Sequence, residues 1–311
     1  MRFRNIKYDN VTILFDFNNQ VWRSFHATEK QHLINTDGIN VGCIIGLFKI
    51  LQYSMNHSNS NKLKLVICED RVPRRKRELV LNNKDAFVEY PSDTNYKYKG
   101  KRPKKNYLYN PIEICRQFID CIPHTKIWAE NEEADDVIAA YVKSNYGEKV
   151  YIYSTDRDLW QLLGKNKNIK IFLDDGSEPN EEKLEKRFCE GTTFDKVILH
   201  KVIKGDSGDN VKSVLRFPFK KHIESYQRCN GTIEHYIKCV SEDYGDDSEV
   251  FKRLINNALL IRLNYWLVKL KDDIKYDEQI ITNYNYNTWL KLCNVFQIPS
   301  MINFLHKCIF Y

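Results

Sequence analysis

Through the first two-thirds of the chain, short apolar runs alternate with stretches whose apolar positions recur at helical spacing. Residues 11–17 are an apolar run of strand formers, followed by polar Asn18-Asn19-Gln20. Residues 64–68, 125–128, 149–154 and 170–173 read as further short strands. Helices are predicted from a Thr36-Asp37-Gly38 cap to about His57, over 111–122, over 132–145 with an acidic first turn that the helix dipole favours, and over 157–163. Apolar strands separated by helices predict a mainly parallel sheet with helices on both faces. After about Asn180 the strand signals fade, and residues 194–204, 223–240, 251–270 and 288–298 read as helices. The expected fold class is α/β: a core over 1–180, including a basic segment over about 71–110, then a helical subdomain over 181–311. Residues 93–110 are polar, basic and tyrosine-rich without a clear period, and read as a loop or arch that orders on binding.

Composition narrows the class. With 311 residues and 42% hydrophobic content, a sizeable core can form and global disorder is excluded. Mean hydropathy is −0.54, and no run approaches the ~18 apolar residues of a membrane span. The most apolar stretch, residues 41–51, is interrupted by Gly42, Gly46 and Lys49. The first ten residues are charged and lack an apolar region, so no secretory signal is expected. The nine cysteines form no CxxC pair, and several lie in apolar runs. They are expected to be reduced, buried thiols of a cytoplasmic protein rather than a zinc site or a disulfide framework. Net charge is +7, yet residues 71–105 hold 12 basic and four acidic residues, a local excess of +8. Such a block points to a polyanionic partner. The blander readings are a solvated loop or a nuclear-localisation run at Arg74-Arg75-Lys76-Arg77.

Carboxylates recur where strands should end. Asp16 closes the first strand and Asp70 follows the second. Glu133, Asp135 and Asp136 open the helix after the third, Asp156 and Asp158 follow the fourth, and Asp206 and Asp209 lie in a Gly-Asp-Ser-Gly-Asp-Asn loop. Open parallel sheets form sites beyond the carboxyl ends of their strands, so these acids are expected to converge. Like charges so gathered raise one another's pKa or splay apart unless cations neutralise them. Oxygen-only donors suit Mg²⁺ or Mn²⁺ rather than zinc, and a pair of such ions serves phosphodiester hydrolysis. Singly, Asp16 could be a turn residue, Glu132 and Glu133 helix-terminal charges, and Asp156 an N-cap. Asp174-Asp175-Gly176 reads as a turn and lacks the spacing of a calcium loop.

Five segments then carry a resemblance. Leu14-Phe15-Asp16-Phe17-Asn18-Asn19, with Arg23-Ser24-Phe25-His26-Ala27 behind it, resembles the opening of the 5′-nuclease (flap endonuclease) family. Glu133-Ala134-Asp135-Asp136 is similar to its E-A-D-D helix. Residues 154–163 are similar to its T-x-D-x-D-x-x-Q-L-L segment, and Gly205-Asp206-Ser207-Gly208-Asp209-Asn210 to its G-D-x-x-D-N loop. Tyr98-Lys99-Gly100-Lys101-Arg102 resembles the Y-K-x-x-R of its arch. Order and spacing agree over residues 11–215, and size resembles the stand-alone phage enzymes, including phage-type RNase H.

The resemblance implies a PIN-like core with a helical arch, and a metal-dependent 5′→3′ exonuclease and structure-specific endonuclease using two Mg²⁺, with Mn²⁺ as substitute. It implies action on DNA with 5′ ends or flaps and on RNA–DNA hybrids, in primer removal, replication or repair. A monomer in the cytoplasm (of the host cell, if phage-encoded) is expected, with a single-strand-binding protein or a sliding clamp left open as partners. Carried over residue by residue, Asp16, Asp70, Glu133 and Asp135 match one metal group. Asp156, Asp158 and Asp206 match the other, and Asp136 and Asp209 match acids acting directly or through water. Lys99 and Arg102 match cations that clamp the scissile phosphodiester, Tyr98 is expected to stack on a base, and Arg23 matches a residue near the 5′ phosphate. Glu69 competes with Asp70 as second acid. Asp70 is preferred because Pro73 then follows at the family's spacing and strand neighbours face opposite ways. The glycine-rich hairpin that usually follows G-D-x-x-D-N is absent, and Lys212, Arg216, Lys220 and Lys221 stand in its place as candidate phosphate contacts. Two other readings are weighed: a PIN-like single-strand RNA endonuclease, usually shorter and without the arch and loop motifs, and a catalytically silent nucleic-acid-binding protein, expected to have lost several acids.

Overall fold

The computed structural model describes residues 10–58, 60, 62–87, 90, 96–100, 109–164, 166–173, 175–214, 217–218 and 223–304. Its centre is a six-stranded sheet. Strands β1 (Val11–Asp16), β2 (Leu63–Cys68), β3 (His124–Trp128), β4 (Lys149–Tyr153), β5 (Ile169–Phe172) and β6 (Asp277–Ile281) lie in the order β5-β4-β1-β2-β3-β6. The first five are parallel and β6 is antiparallel to β3. Every residue of β1 is buried, as a central parallel strand covered on both faces requires. From β1 the chain adds β2 and β3 on one side, then β4 and β5 on the other. The topological switch therefore falls beside β1, where such sheets open a crevice at their carboxyl ends.

One face is covered by α1 (Phe17–Glu29), α2 (Gly42–His57), α4 (Pro111–Ile119) and α12 (Tyr286–Val295), packed around Phe48, Phe118 and Trp289. Helices α1 and α2 approach closely: a Cβ on Gly46 would lie 2.9 Å from Cβ of Ser24. The other face is covered by α5 (Ala134–Ser144) and a 3₁₀ turn, Asp158–Leu162. A third apolar cluster joins α7 (Val197–Lys204), α8 (Ile223–Arg228), α9 (Ile233–Tyr244), α10 (Glu249–Asn256) and α11 (Ala258–Val268). Helix α11 also meets α3 (Arg74–Asn82), together with Tyr96 and Tyr98. A short α6 (Glu181–Arg187) links core and helices. Among the described residues no helix is long and apolar enough to cross a membrane, and the eight described cysteines are free thiols.

Several expected elements shift. Thr36-Asp37-Gly38 caps nothing: the Asn35 side chain accepts from the N–H groups of Asp37 and Ile39, forming a tight turn, and α2 starts at Gly42. The expected 157–163 helix is a 3₁₀ turn. The expected 223–240 helix breaks at Gly231, whose φ is +88°, and Thr232 caps α9. The expected 251–270 helix breaks at Asn257, which closes α10 and opens α11. Helices α1, α3 and α6 and strand β6 are additional to the expected elements; α1 buries Phe17, Val21 and Phe25 at helical spacing, whereas α3, α6 and β6 have no distinct apolar period. β6 is a charged, exposed edge strand, the composition that protects a sheet edge from further pairing.

Candidate active site

Four adjacent strands, β4, β1, β2 and β3, end at the same edge, and the acids after them meet in a cleft of about 360 Å³. Asp16, Asp70, Glu133, Asp135 and Asp156 line it, with Asn18, Asn19, Trp22, Arg23, His26, Lys99 and Thr155. Asp16 ends β1 and caps α1, accepting from the Asn19 N–H at 3.4 Å and from the Ser154 hydroxyl at 2.6 Å. Ser154 in turn accepts the Asp156 N–H at 3.1 Å, tying the ends of β1 and β4 together. Asp70 accepts the N–H of Ala134, the first residue of α5, at 2.7 Å, a donor that no residue within the helix could satisfy. Two groups of acids bring one oxygen each within 4.8 Å of one another: Glu133, Asp135 and Asp136, and Asp135, Asp156 and Asp158.

Cations divide these acids unequally. Lys76, 2% exposed, lies 2.9 Å from Glu133, 3.1 Å from Asp136 and 3.8 Å from Asp135. Lys99 pairs with Glu133 and reaches Asp209 at 3.7 Å. Lys201 pairs with Asp158 and with Asp206 at 2.8 Å. Among the described residues no Lys or Arg forms an ion pair with Asp16, Asp70 or Asp156. Burial, with Asp70 and Asp156 nearby, pushes Asp16 up to about 8 even though Ser154 opposes it. Burial also raises Asp70 and Asp135. Asp158 is raised to about 7 by burial despite Lys201. Burial would raise Glu133 too, but Lys76 and Lys99 pull it down to about 2.

The cleft fits divalent cations. Its unneutralised donors are carboxylate oxygens, and the side-chain oxygen of Asn18 is buried there without a hydrogen-bond partner among the described residues. Hard oxygen donors of this kind suit Mg²⁺ or Mn²⁺.

The expected site residues sort as follows. Asp16, Asp70, Glu133, Asp135, Asp156, Lys99 and Arg23 line the cleft. Asp158 adjoins it through Asp135 and Asp156. Glu69 turns the other way, buried against Arg71 at 3.0 Å and Arg116 at 2.9 Å. Asp136 is fully buried and faces Arg75, Lys76 and the N–H of Lys271. Asp206 and Asp209 sit on a loop after α7. Gly205, at φ +71°, makes that turn, and a Cβ there would come within 2.5 Å of the Val211 carbonyl. The loop docks on the base of the basic segment, where the Asn210 side chain donates to the Lys97 carbonyl at 2.9 Å. Tyr98 corrects its expectation. Its ring is 3% exposed and offers no face to a base; its hydroxyl lies 3.0 Å from both Glu133 and Asp209. Lys212 packs over the rings of Tyr90 and Tyr96. Arg102, Arg216, Lys220 and Lys221 lie outside the described residues.

Part of the basic block faces inward. Arg71, Arg75, Lys76 and Lys99 neutralise internal carboxylates, whereas Arg74, Arg77, Lys84 and Lys97 remain exposed. Sequence reasoning missed Lys76, Lys201 and Ser154 as parts of the site. The available signal for Lys201 was its place four residues after Val197, on the buried face of α7.

A family model described as the 5′-3′ exonuclease, N-terminal resolvase-like domain, matches residues 11–190. DNA polymerase I of Borreliella burgdorferi is 26% identical over 274 residues, covering 85% of this chain but 27% of that protein. The chain thus spans about a quarter of that relative's length. A 5′-3′ exonuclease of Mycoplasma genitalium is 25% identical over 276 residues, covering 86% of this chain and 88% of that protein. The fold is similar to that of the bacteriophage T5 flap endonuclease in a pseudo-enzyme-product complex with DNA and metal ions. That match has a TM-score of 0.57 and 16% identity, and covers 84% of this chain and 90% of the other.

Proposed function

The chain belongs to the 5′-3′ exonuclease family of 5′-nucleases, and from that premise we propose that it hydrolyses phosphodiesters near the 5′ ends of DNA, at free ends and flaps, and also degrades the RNA strand of RNA–DNA hybrids. It is a metal-dependent phosphodiesterase. The observation that supports this reading most is the convergence of Asp16, Asp70, Asp135 and Asp156 from the ends of four adjacent strands into one cleft that Lys99 also lines.

Asp16, Asp70, Glu133 and Asp135 would hold one divalent ion, and Asp156, Asp158 and Asp206 a second, with Asp136 and Asp209 supporting them. Mg²⁺ is the proposed ion, with Mn²⁺ as substitute. Bound there, the ions would lower the pKa of water and stabilise the leaving oxygen. Lys99, which lines the cleft, would hold a phosphate oxygen and offset the charge that develops on it. Arg23, on α1 and lining the same cleft, would hold the 5′-terminal phosphate. Ser154 keeps Asp16 and Asp156 oriented through its two hydrogen bonds. Exposed cations beside α3, with Arg102, Lys212, Arg216, Lys220 and Lys221, are proposed to contact the phosphate backbone. The helices α7 to α11 form the proposed DNA-binding part, joined to an α/β core that is not confined to the expected residues 1–180, since β6 and α12 return to it from the last third of the chain. A monomer acting in the cytoplasm, during replication or repair, fits this reading.

The test is incubation of labelled 5′-flap DNA and an RNA–DNA hybrid with and without Mg²⁺, beside Asp156→Asn. Products that start at the 5′ end, require Mg²⁺ and vanish with Asp156→Asn support it. Cleavage that survives chelation, or full turnover by Asp156→Asn, overturns it. An intact hybrid would remove the RNase H activity alone.

A further inference from the structure

The two halves of the acid cleft are not equivalent in the metal-free chain. On one side Glu133 is held by Lys76 and Lys99, and Asp135 lies 3.8 Å from Lys76, but Asp16 and Asp70, two of the four acids there, have no cationic side chain in ion-pair contact among the described residues. Asp158 and Asp206 already have one: Lys201 stands between them, paired with Asp158 and 2.8 Å from Asp206. Lys201 is no surface lysine swung inward by chance. It is 8% exposed and lies on α7 with Val197, Leu199, Val202 and Ile203, all buried. Its stem is therefore packed among apolar side chains, and its ammonium is delivered to the acids by the helix.

A single ammonium leaves two carboxylates with a net charge of −1, and Asp156 adds another carboxylate close by through the group it forms with Asp135 and Asp158. The place still attracts a divalent ion, but the oxygens such an ion needs are the ones Lys201 holds. We propose that Lys201 is the resident counter-cation of the second acid group and yields its place between Asp158 and Asp206 to the second divalent ion, so that the two ions load in order, the Asp16–Asp70 side first. This deepens the nuclease reading and rests on it. Lys201 is in these terms a positioning residue. It keeps Asp158 and Asp206 together when divalent ions are scarce, and it weakens the second ion relative to the first.

The sign of one measurement separates this from an ordinary supporting role. A lysine that helps orient ligands strengthens metal binding, and its loss weakens the ion about 10–100-fold. A lysine that competes for the ligands does the reverse. Mn²⁺ is titrated into the full chain without DNA, with free Mn²⁺ followed by electron paramagnetic resonance, for the wild type, Lys201→Met and Lys201→Arg. The expected result is one tight and one weaker ion in the wild type, a second ion tightened by about tenfold or more in Lys201→Met, and wild-type behaviour in Lys201→Arg. A second constant that is unchanged or weakened in Lys201→Met, or two equal ions in the wild type, overturns the displacement and leaves the nuclease reading standing. No Mn²⁺ binding by any variant overturns both.

Because Lys201→Met leaves two carboxylates unpaired and can impair folding, the wild-type chain gives an independent reading. Lysine acylation followed by mass spectrometry should show Lys201 protected without metal and several-fold more reactive at saturating Mn²⁺. Protection that does not change with Mn²⁺ overturns the proposal.

Discussion

The backbone N–H of Lys99 donates to the carbonyl of Asp209 at 2.9 Å. That bond joins the base of the basic segment to the Gly-Asp-Ser-Gly-Asp-Asn loop, so the main chain of one motif sets the position of the other's side chain. Lys99 holds φ at +55° there, and Asn210 anchors the Lys97 carbonyl beside it. The ammonium is thereby fixed over Glu133 rather than left to wander as a long exposed side chain.

Lys99→Ala is therefore expected to slow single-turnover cleavage by about 100-fold or more, the scale of losing one preorganised charge-stabilising donor. The dissociation constant for DNA should move only a few-fold. Rapid-quench kinetics on a labelled flap substrate checks this, and an unchanged rate removes Lys99 from the chemistry.

The raised carboxyls set a pH dependence. Asp16 titrates near 8 in the native chain against 3.8 for its ordinary value, so between those limits the folded state holds a proton that the unfolded state has released. Stability of the metal-free chain should fall as pH rises through that window, and level off above it. Asp158, near 7, adds to the same trend. A divalent ion replaces these protons. Mg²⁺ should raise the midpoint of thermal unfolding more at pH 8 than at pH 6, and should release up to about one proton per ion near neutrality. Calorimetry in buffers of different ionisation enthalpy reads that release; none at pH 7 would mean that the acids are already ionised.

Much of this site was legible before the fold, and the reason is physical. Carboxylates at strand ends are rigidly linked to an apolar period, so placing β1, β2, β3 and β4 also places Asp16, Asp70, Glu133 and Asp156. What escaped is what depends on tertiary partners. The α3 sequence Arg74–Asn82 looks like a solvated basic run, but α11 packs against it and turns Lys76 inward. β6 carries charges because it is an edge, so its pattern does not resemble that of a buried strand. Tyr98 carries the side-chain type of a stacking platform, and its burial comes from the apolar cluster it joins with α3, α11 and Tyr96 and from Lys76, Lys99 and the acids around it, which no local pattern encodes.

Lys76→Met tests the inward cation. The substitution keeps the length of the side chain but leaves Glu133 and Asp136 with one counter-charge fewer in a dry place. Removing one partner of a buried ion pair typically costs about 3–5 kcal/mol, and a loss of that size is expected in urea unfolding without metal. Saturating Mg²⁺ should recover part of it, since the ion neutralises the adjacent acids. A variant as stable as the wild type would show that these carboxylates carry a proton instead.

Glu69 and Asp70 are neighbours with opposite surroundings, and that contrast decides between them as ligands. Glu69 is held by Arg71 and Arg116, which, against the effect of burial, keep its carboxyl below the usual range. Asp70 faces the cleft, is held by the Ala134 N–H, and is raised by burial with Glu133 and Asp156 nearby. Asp70→Asn should therefore lower Mg²⁺-dependent cleavage by more than about 100-fold while leaving the fold intact, because an amide still accepts the Ala134 N–H. Glu69→Gln should do the reverse: it leaves two guanidinium groups short of their counter-charge, lowers stability, and preserves most of the cleavage by the molecules that remain folded. Cleavage rates normalised to the folded fraction, measured on both variants side by side, read the difference directly. Equal losses in the two variants would mean that the strand end swings between the two faces, and the assignment of Asp70 as ligand would fail.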